Sequence, residues 1–196
     1  MNPVLDEKKQ AELEFWKNLY NAVGREAFGA IREHDYADYT RNYPDNPSVL
    51  GQGLDLGSGP WSVFEGQYYH NVVAADPMML EYRQIINPPY TGVIYKECDD
   101  NDLSIFNNDT FDWVWCVNVI DHTPNPELLL QEVRRVLKPD GSFYFAVWFD
   151  PALYAPHYKL WNVDTVNEYL KDFQLLRGTL ELWEAHSKYR YWGLYR

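Results

Sequence analysis

The sequence predicts an α/β domain, a three-layer sandwich around a seven-stranded, mostly parallel sheet whose last strand is antiparallel, preceded by a short N-terminal helical cap. Three observations carry this. A strand-length segment, Val49–Leu56, runs into the glycine turn Gly57-Ser58-Gly59-Pro60. After a helix-sized gap, a second apolar run, Asn71–Ala75, closes on Asp76. Such a pairing opens a nucleotide-binding βαβ unit. Downstream, strand-length apolar runs alternate with helix-length segments, as in a doubly wound sheet.

The elements follow in order. Residues 5–33 read as helical, with Leu13, Trp16, Leu19, Tyr20 and Val23 at helical spacing. Gly24 breaks that run, and Ala27, Phe28 and Ile31 continue it as a second short helix. Residues 34–48 are polar, Tyr-rich and hold two prolines, which predicts a loop. Within it Tyr36, Tyr39, Arg41 and Tyr43 are candidates for substrate contact. Residues 1–48 thus form a helical cap or lid, and 49–196 the main domain. After the glycine turn, Trp61–Gly66 should begin the first crossover helix. Pro77 suits the first position of the next helix, over Pro77–Tyr82. Gly92–Lys96 is a third strand, followed by the acidic turn Glu97–Asp102. Phe111–Val117 is almost continuously apolar, as a central parallel strand should be. Pro126–Leu137 is an amphipathic helix that stops at Lys138-Pro139-Asp140-Gly141. Ser142–Phe149 is a fifth strand and Asp164–Asp172 a last helix. Gln174–Glu181 and Tyr189–Leu194 are close enough in sequence to pair as an antiparallel hairpin.

Length and composition fit one domain with one full core: 196 residues, 46% hydrophobic and 23% charged. The net charge of −12, with no basic run, argues against a nucleic-acid partner and fits a neutral or cationic small molecule better than a polyanion. The two cysteines, Cys98 and Cys116, lie in apolar stretches and read as buried free thiols, which fits a reducing cytoplasm. Zinc-type Cys/His spacing is lacking, so no metal is expected. Without a signal-like N-terminus or a membrane-length apolar run, the expectation is a soluble, cytoplasmic protein with no membrane partner. Nothing in the sequence sets an oligomeric state.

Three segments carry a family resemblance: Leu54-Asp55-Leu56-Gly57-Ser58-Gly59-Pro60, the lone Asp76, and the stretch from Asp99 to Phe145. Within the last, Asn108–Val114 enters the fourth strand, Asn118–Pro126 leaves it with His122 and Pro126, and Arg134-Arg135-Val136-Leu137-Lys138-Pro139-Asp140-Gly141-Ser142 forms a turn. In this order and at these spacings they resemble the class I S-adenosylmethionine-dependent methyltransferases, in particular the methyltransferase-11-like group. Two departures stand out: Trp61 replaces a third loop glycine, and Asp140 replaces a turn glycine.

The resemblance implies a Rossmann-like fold, S-adenosyl-L-methionine as cofactor, and methyl transfer to an oxygen, nitrogen or carbon of a small-molecule acceptor. It places Asp55, Gly57, Ser58, Gly59, Asp76, Pro77, Met78, Asp99, Asp100 and Asn118 around the cofactor. A carboxylate at Asp55 suits the amino group, directly or through water. Asp76 suits the ribose hydroxyls, with a helix N-cap as the alternative. Asp99 suits the adenine amino group, with Asp100 as runner-up. Met78 and Met79 flank adenine or fill the core. Transfer needs alignment above all; a hydroxyl acceptor also needs a base, for which Asp121, His122, His34 and His157 are candidates. For His122 a packing or loop-fixing role is preferred to that of a base. Two other readings stand beside this one. A non-catalytic protein that binds the cofactor or a protein partner fits the short chain. A nicotinamide-dependent oxidoreductase shares the Gly-x-Gly and later acid, but the third glycine of its fingerprint is missing.

Overall fold

The computed structural model describes residues 3–41, 51–66, 71–87, 92–150, 157–183 and 188–196, without the side chains of residues 3–6 and 183. Seven strands form one sheet: β1 (Gly53–Leu56), β2 (Val72–Asp76), β3 (Val93–Glu97), β4 (Phe111–Val117), β5 (Leu137–Phe149), β6 (Leu175–Trp183) and β7 (Lys188–Tyr195). Their order is β3-β2-β1-β4-β5-β7-β6. The first five are parallel and β7 runs antiparallel to both β5 and β6. The predicted topology and closing hairpin are therefore present. The strand order reverses between β1 and β4, so the crevice of this open sheet lies at their carboxyl ends.

Burial on both faces explains why the central strands read as apolar runs. Every residue of β1 and β2 is buried. One face packs Leu54, Leu56, Val114, Cys116, Phe143 and Phe145 against α3 (Pro126–Val136) and α4 (Val163–Tyr169). Asn125 caps α3, its side chain accepting from the backbone N–H of Leu128, and Asn162 caps α4 through Thr165. The other face packs Phe64, Trp113, Trp115, Tyr144 and Trp192 with the short α2 (Met79–Tyr82) and the N-terminal helix α1 (Pro3–Thr40). Cys98 and Cys116 are buried free thiols, as expected.

Four expectations are corrected. The helix α1 continues to Thr40, so residues 34–40 are helical and not a loop. Packing overrides their polar composition: Tyr36 meets Phe64 edge-on at 5.7 Å and Tyr39 meets Trp192 at 5.5 Å. Tyr43 lies outside the described residues. Second, residues 57–66 make successive turns and no helix. The face that a crossover helix would cover is taken by α1, whose Phe28 packs on Trp61 at 5.7 Å. Third, Pro77 sits in a turn before α2, which is a single helical turn with Met78 at its N-cap. Fourth, β5 starts at Leu137, paired with Phe111; residues 138–141 then bulge opposite Asp112 before Ser142 pairs with Trp113. Gly24 breaks α1 as predicted, at φ 78° and ψ 170°.

Gly53 shows how tightly the sheet is filled. It pairs with Trp113 on β4, and a Cβ at position 53 would lie 1.9 Å from the indole. Gly53→Ala is expected to lower unfolding stability by about 1–3 kcal/mol through overpacking, read from urea midpoints; an unchanged midpoint would contradict this account of the packing.

Candidate functional site

The crevice is built on the β1–β2 pair. After Leu56 the chain turns sharply: the amides of Gly57 and Ser58 both donate to the carbonyl of Ala75, at 2.8 and 3.2 Å. Gly57 takes φ 64°, and a Cβ there would also lie 2.5 Å from Val119. Gly59 has the same φ, and its amide donates to one oxygen of Asp76 at 2.9 Å. The amide of Met78 donates to the other oxygen, also at 2.9 Å. Asp76 thus acts as the turn cap that the sequence allowed and, in the same position, faces the glycine turn. It is 6% exposed; burial pushes its carboxyl up to about 7 against the pull of these two amides.

Asp55 is buried one turn deeper. It accepts from the Ser62 hydroxyl at 2.6 Å, and burial raises it to about 6 while Ser62 and Arg32 pull it down. Ser58 is buried, its hydroxyl donating to the carbonyl of Gly59 at 3.1 Å. A cleft of about 350 Å³ opens beside this turn, lined by Pro77, Cys98, Asp99, Asp102 and, from α1, Lys9. Asp99 is exposed there and accepts from the amide of Asn101 at 2.9 Å. Asp100 is half-buried, and burial together with Asp99 raises it to about 6. Met78 is buried in the turn, and Met79 belongs to the core.

Asn118 stands at the end of β4 in a left-handed conformation, φ 57°. Its Nδ2 approaches the Tyr39 hydroxyl at 3.4 Å, and its buried Oδ1 has no hydrogen-bond partner among the described residues. A buried acceptor of this kind is suited to a donor on a ligand. Asp121 and His122 follow in the β4 exit loop, and the amide of Tyr158 donates to the Asp121 carbonyl at 2.7 Å. His122 faces Glu12 of α1 at 3.5 Å; burial opposes its charge, but Glu12 and Asp121 outweigh that and raise it to about 9. His157 is buried beside them. His34 is exposed on α1, on no side of this cluster that a contact defines. Arg41 is held by Asp38 and Glu181 rather than presented to a ligand.

Arg32 is the feature that sequence reasoning missed. It reaches from α1 across the glycine turn, donating from Nε to the Trp61 carbonyl at 2.8 Å and lying 3.5 Å from the Ser58 carbonyl. Its available signal was a charged residue four positions after Phe28, on the apolar side of a helix. Trp61, where a third loop glycine was expected, is 7% exposed and turned into α1. Its ring is an anchor for that helix, not a wall of the cleft. Upstream of Gly24, Trp16 lies over the turn itself, 3.4 Å from where a Gly59 Cβ would stand.

Comparison with known proteins agrees with this geometry. Residues 54–145 match the family described as a methyltransferase domain. The chain is 26% identical over 102 residues to a ubiquinone biosynthesis O-methyltransferase of Glaesserella parasuis, covering 47% of this chain and 43% of that one. It is 29% identical over 107 residues to the 2-methyl-6-phytyl-1,4-hydroquinone methyltransferase of Synechocystis, covering 54% of this chain and 33% of that one. The chain therefore matches less than half the length of these curated relatives. Among solved structures, the trans-methyltransferase CalH in complex with SAH superimposes with a TM-score of 0.60 at 21% identity, over 76% of this chain and 52% of that one. By its turn, its sheet order and its match across residues 54–145, the chain is similar to the class I S-adenosylmethionine-dependent methyltransferases.

Proposed function

We propose that this chain methylates a small-molecule acceptor at the mouth of the crevice between β1 and β4, with S-adenosylmethionine as donor. The observation that carries the reading is a set of buried acceptors around one turn: two carboxylates, Asp55 and Asp76, and Asn118 Oδ1, which has no hydrogen-bond partner among the described residues. When bound, the cofactor supplies a methyl group on a sulfonium, whose loss leaves a neutral thioether. Each residue then has a role that its position supports. Asp76 accepts from the ribose hydroxyls; each of its oxygens already takes one amide and keeps a second lone pair. Asp55 faces the ammonium, and Arg32, beside Ser58, the carboxylate of the amino-acid part. Gly57 and Gly59 allow the backbone to approach it, with Ser58 between them. Pro77 and Met78 border the adenine, and Asp99, or Asp100 in its place, accepts from its amino group. Asn118 holds the amino-acid part through Oδ1.

Residues 3–23 of α1 act as the lid. They cover the turn through Trp16 and reach the β4 exit loop through Glu12. The activities named for the two relatives, ubiquinone biosynthesis and methylation of a hydroquinone, favour a hydroxylated aromatic acceptor. The net charge of −12 weighs against a nucleic acid. Asp121 and His122, in the β4 exit loop, remain the candidates for a base. A panel of phenols, amines and sugars assayed for methyl transfer from labelled S-adenosylmethionine tests the reading; transfer to none, with cofactor binding intact, would favour a binding role instead.

Three outcomes are expected of the cofactor site. Asp76→Ala should weaken S-adenosylhomocysteine binding at least about a hundredfold by calorimetry, since two hydrogen bonds to a charged group contribute about 1.5–3 kcal/mol each. Unchanged affinity in a folded variant would leave Asp76 only its turn-capping role. Arg32→Met should weaken S-adenosylhomocysteine about tenfold or more and leave methylthioadenosine, which lacks the carboxylate, unaffected; equal losses for both ligands would contradict the assignment.

The third outcome concerns pH. In the unligated chain the Asp76 carboxyl is raised to about 7, so its proton stabilises the fold fully below the unfolded value of about 4, and that contribution is lost as pH rises through about 7. The ligand's hydroxyls favour the carboxylate. Affinity should therefore fall as pH drops below about 7, by up to tenfold per pH unit, with proton release on binding seen as a buffer-dependent enthalpy. Asp76→Asn should flatten the profile, and a wild-type profile without slope would refute the linkage.

A further inference from the structure

A second group of polar side chains lies beside the crevice, and the cofactor roles above leave it unused. Asp121 is 1% exposed, and neither of its carboxylate oxygens has a hydrogen-bond partner among the described residues. Two imidazoles converge on it from different parts of the chain. His157 Nε2 lies 3.6 Å from one oxygen, and His122 Nε2 lies 3.9 Å from the other. These separations exceed a hydrogen bond. One ligand atom from each of the three residues falls within 4.8 Å of the others. The two rings are 4.6 Å apart between centroids at 67°, so they meet edge to face rather than stack.

The far sides of both rings are organised alike. His122 Nδ1 faces the Glu12 carboxylate at 3.5 Å, and His157 Nδ1 faces Asp150 at 3.3 Å. Asp150, itself 8% exposed, is paired with Lys188. A carboxylate behind Nδ1 fixes the ring and leaves Nε2 to bind, which is the usual support of a metal-ligating histidine. Here it occurs twice, with both Nε2 atoms aimed at one buried carboxylate that nothing else satisfies.

We propose that Asp121, His122 and His157 form a binding site for one divalent transition-metal cation of the zinc type. Two imidazoles and a carboxylate are a donor set for such ions. Ligand atoms in a tetrahedral zinc site stand about 3.3 Å apart, given metal–ligand distances of about 2.0 Å. The present spacing closes to that by small side-chain rotations. A bound cation would take one oxygen of Asp121 and the two Nε2 atoms, and three protein ligand atoms leave a coordination position for water or an acceptor oxygen. It would also join the β4 exit loop to the segment after β5 and, through Glu12, to α1. The sequence expectation of no metal rested on Cys/His spacing, which cannot register ligands 36 residues apart in different loops.

The site is tested without reference to methyl transfer. The tag-free full chain is stripped with a chelator, equilibrated with Zn²⁺, and analysed for bound metal and for affinity by competition with a chelating dye. Co²⁺ loading adds an absorption spectrum that reports coordination. About one zinc per chain is expected, with visible Co²⁺ bands and a melting temperature that rises with zinc. Asp121→Asn and His157→Ala should each weaken zinc binding more than about a hundredfold, and Asp150→Asn or Glu12→Gln about 10–100-fold. Glu12→Gln, a change on the cover helix outside the sheet core, keeps the test open if a buried variant fails to fold. Substoichiometric zinc, or binding that none of these folded variants weakens, overturns the site.

Discussion

One carboxylate holds the crevice together. Asp76, at the end of β2, takes the amide of Gly59 on one oxygen and that of Met78 on the other. It thereby pins the turn after β1 to the turn before α2, and both borders of the cleft follow from that clamp. The clamp sits in a buried place where an ionised carboxyl is disfavoured, which is why its proton is held up to about 7. In the proposed function, structure and ligand binding draw on the same two oxygens. The residue cannot be changed for one purpose without disturbing the other.

The layer opposite α3 and α4 is unusual for its economy. The helix α1 covers the face that a crossover helix of the β1–β2 connection would cover, and the described residues 57–66 of that connection make only turns. Aromatic packing makes this possible. Trp61, Phe64 and Trp192 meet Phe28, Tyr36 and Tyr39 in turn, in tilted and edge-on contacts. At the far end Arg190, 6% exposed, lies 4.2 Å over the Trp192 ring and pairs with Asp38 and Glu181, fastening the end of α1 to the β6–β7 hairpin. Such a buried cation is tolerated because it is both stacked and paired.

The sheet was legible in the sequence because its central strands are buried on both sides and carry little but apolar residues. The interval from Gly57 to Asp76 was legible because a turn and a parallel neighbour strand impose it. Residues 34–40 were not. Their tyrosines and charges resemble a loop until the partner rings on the sheet are known, and those lie far away in sequence. Arg32 and Trp61 were opaque for the same reason: each gets its role from where α1 crosses the glycine turn, and helix periodicity carries no information on that crossing. The convergence of His122 and His157 on Asp121 depends on loops after β4 and β5, and sequence spacing does not encode it.

The break at Gly24 divides α1 into two parts with different obligations. Residues after it are wall: remove them and the aromatic face of the sheet meets water. Residues before it touch the rim of the crevice through Lys8, Lys9, Glu12 and Trp16 and contribute few side chains to the sheet core. The seam between what the fold requires and what only the ligand requires runs through the middle of one helix. Natural variation in length and sequence is therefore tolerable on one side of that glycine and constrained on the other. In the proposed function, acceptor preference can drift at the front of this helix while the domain behind it stays the same.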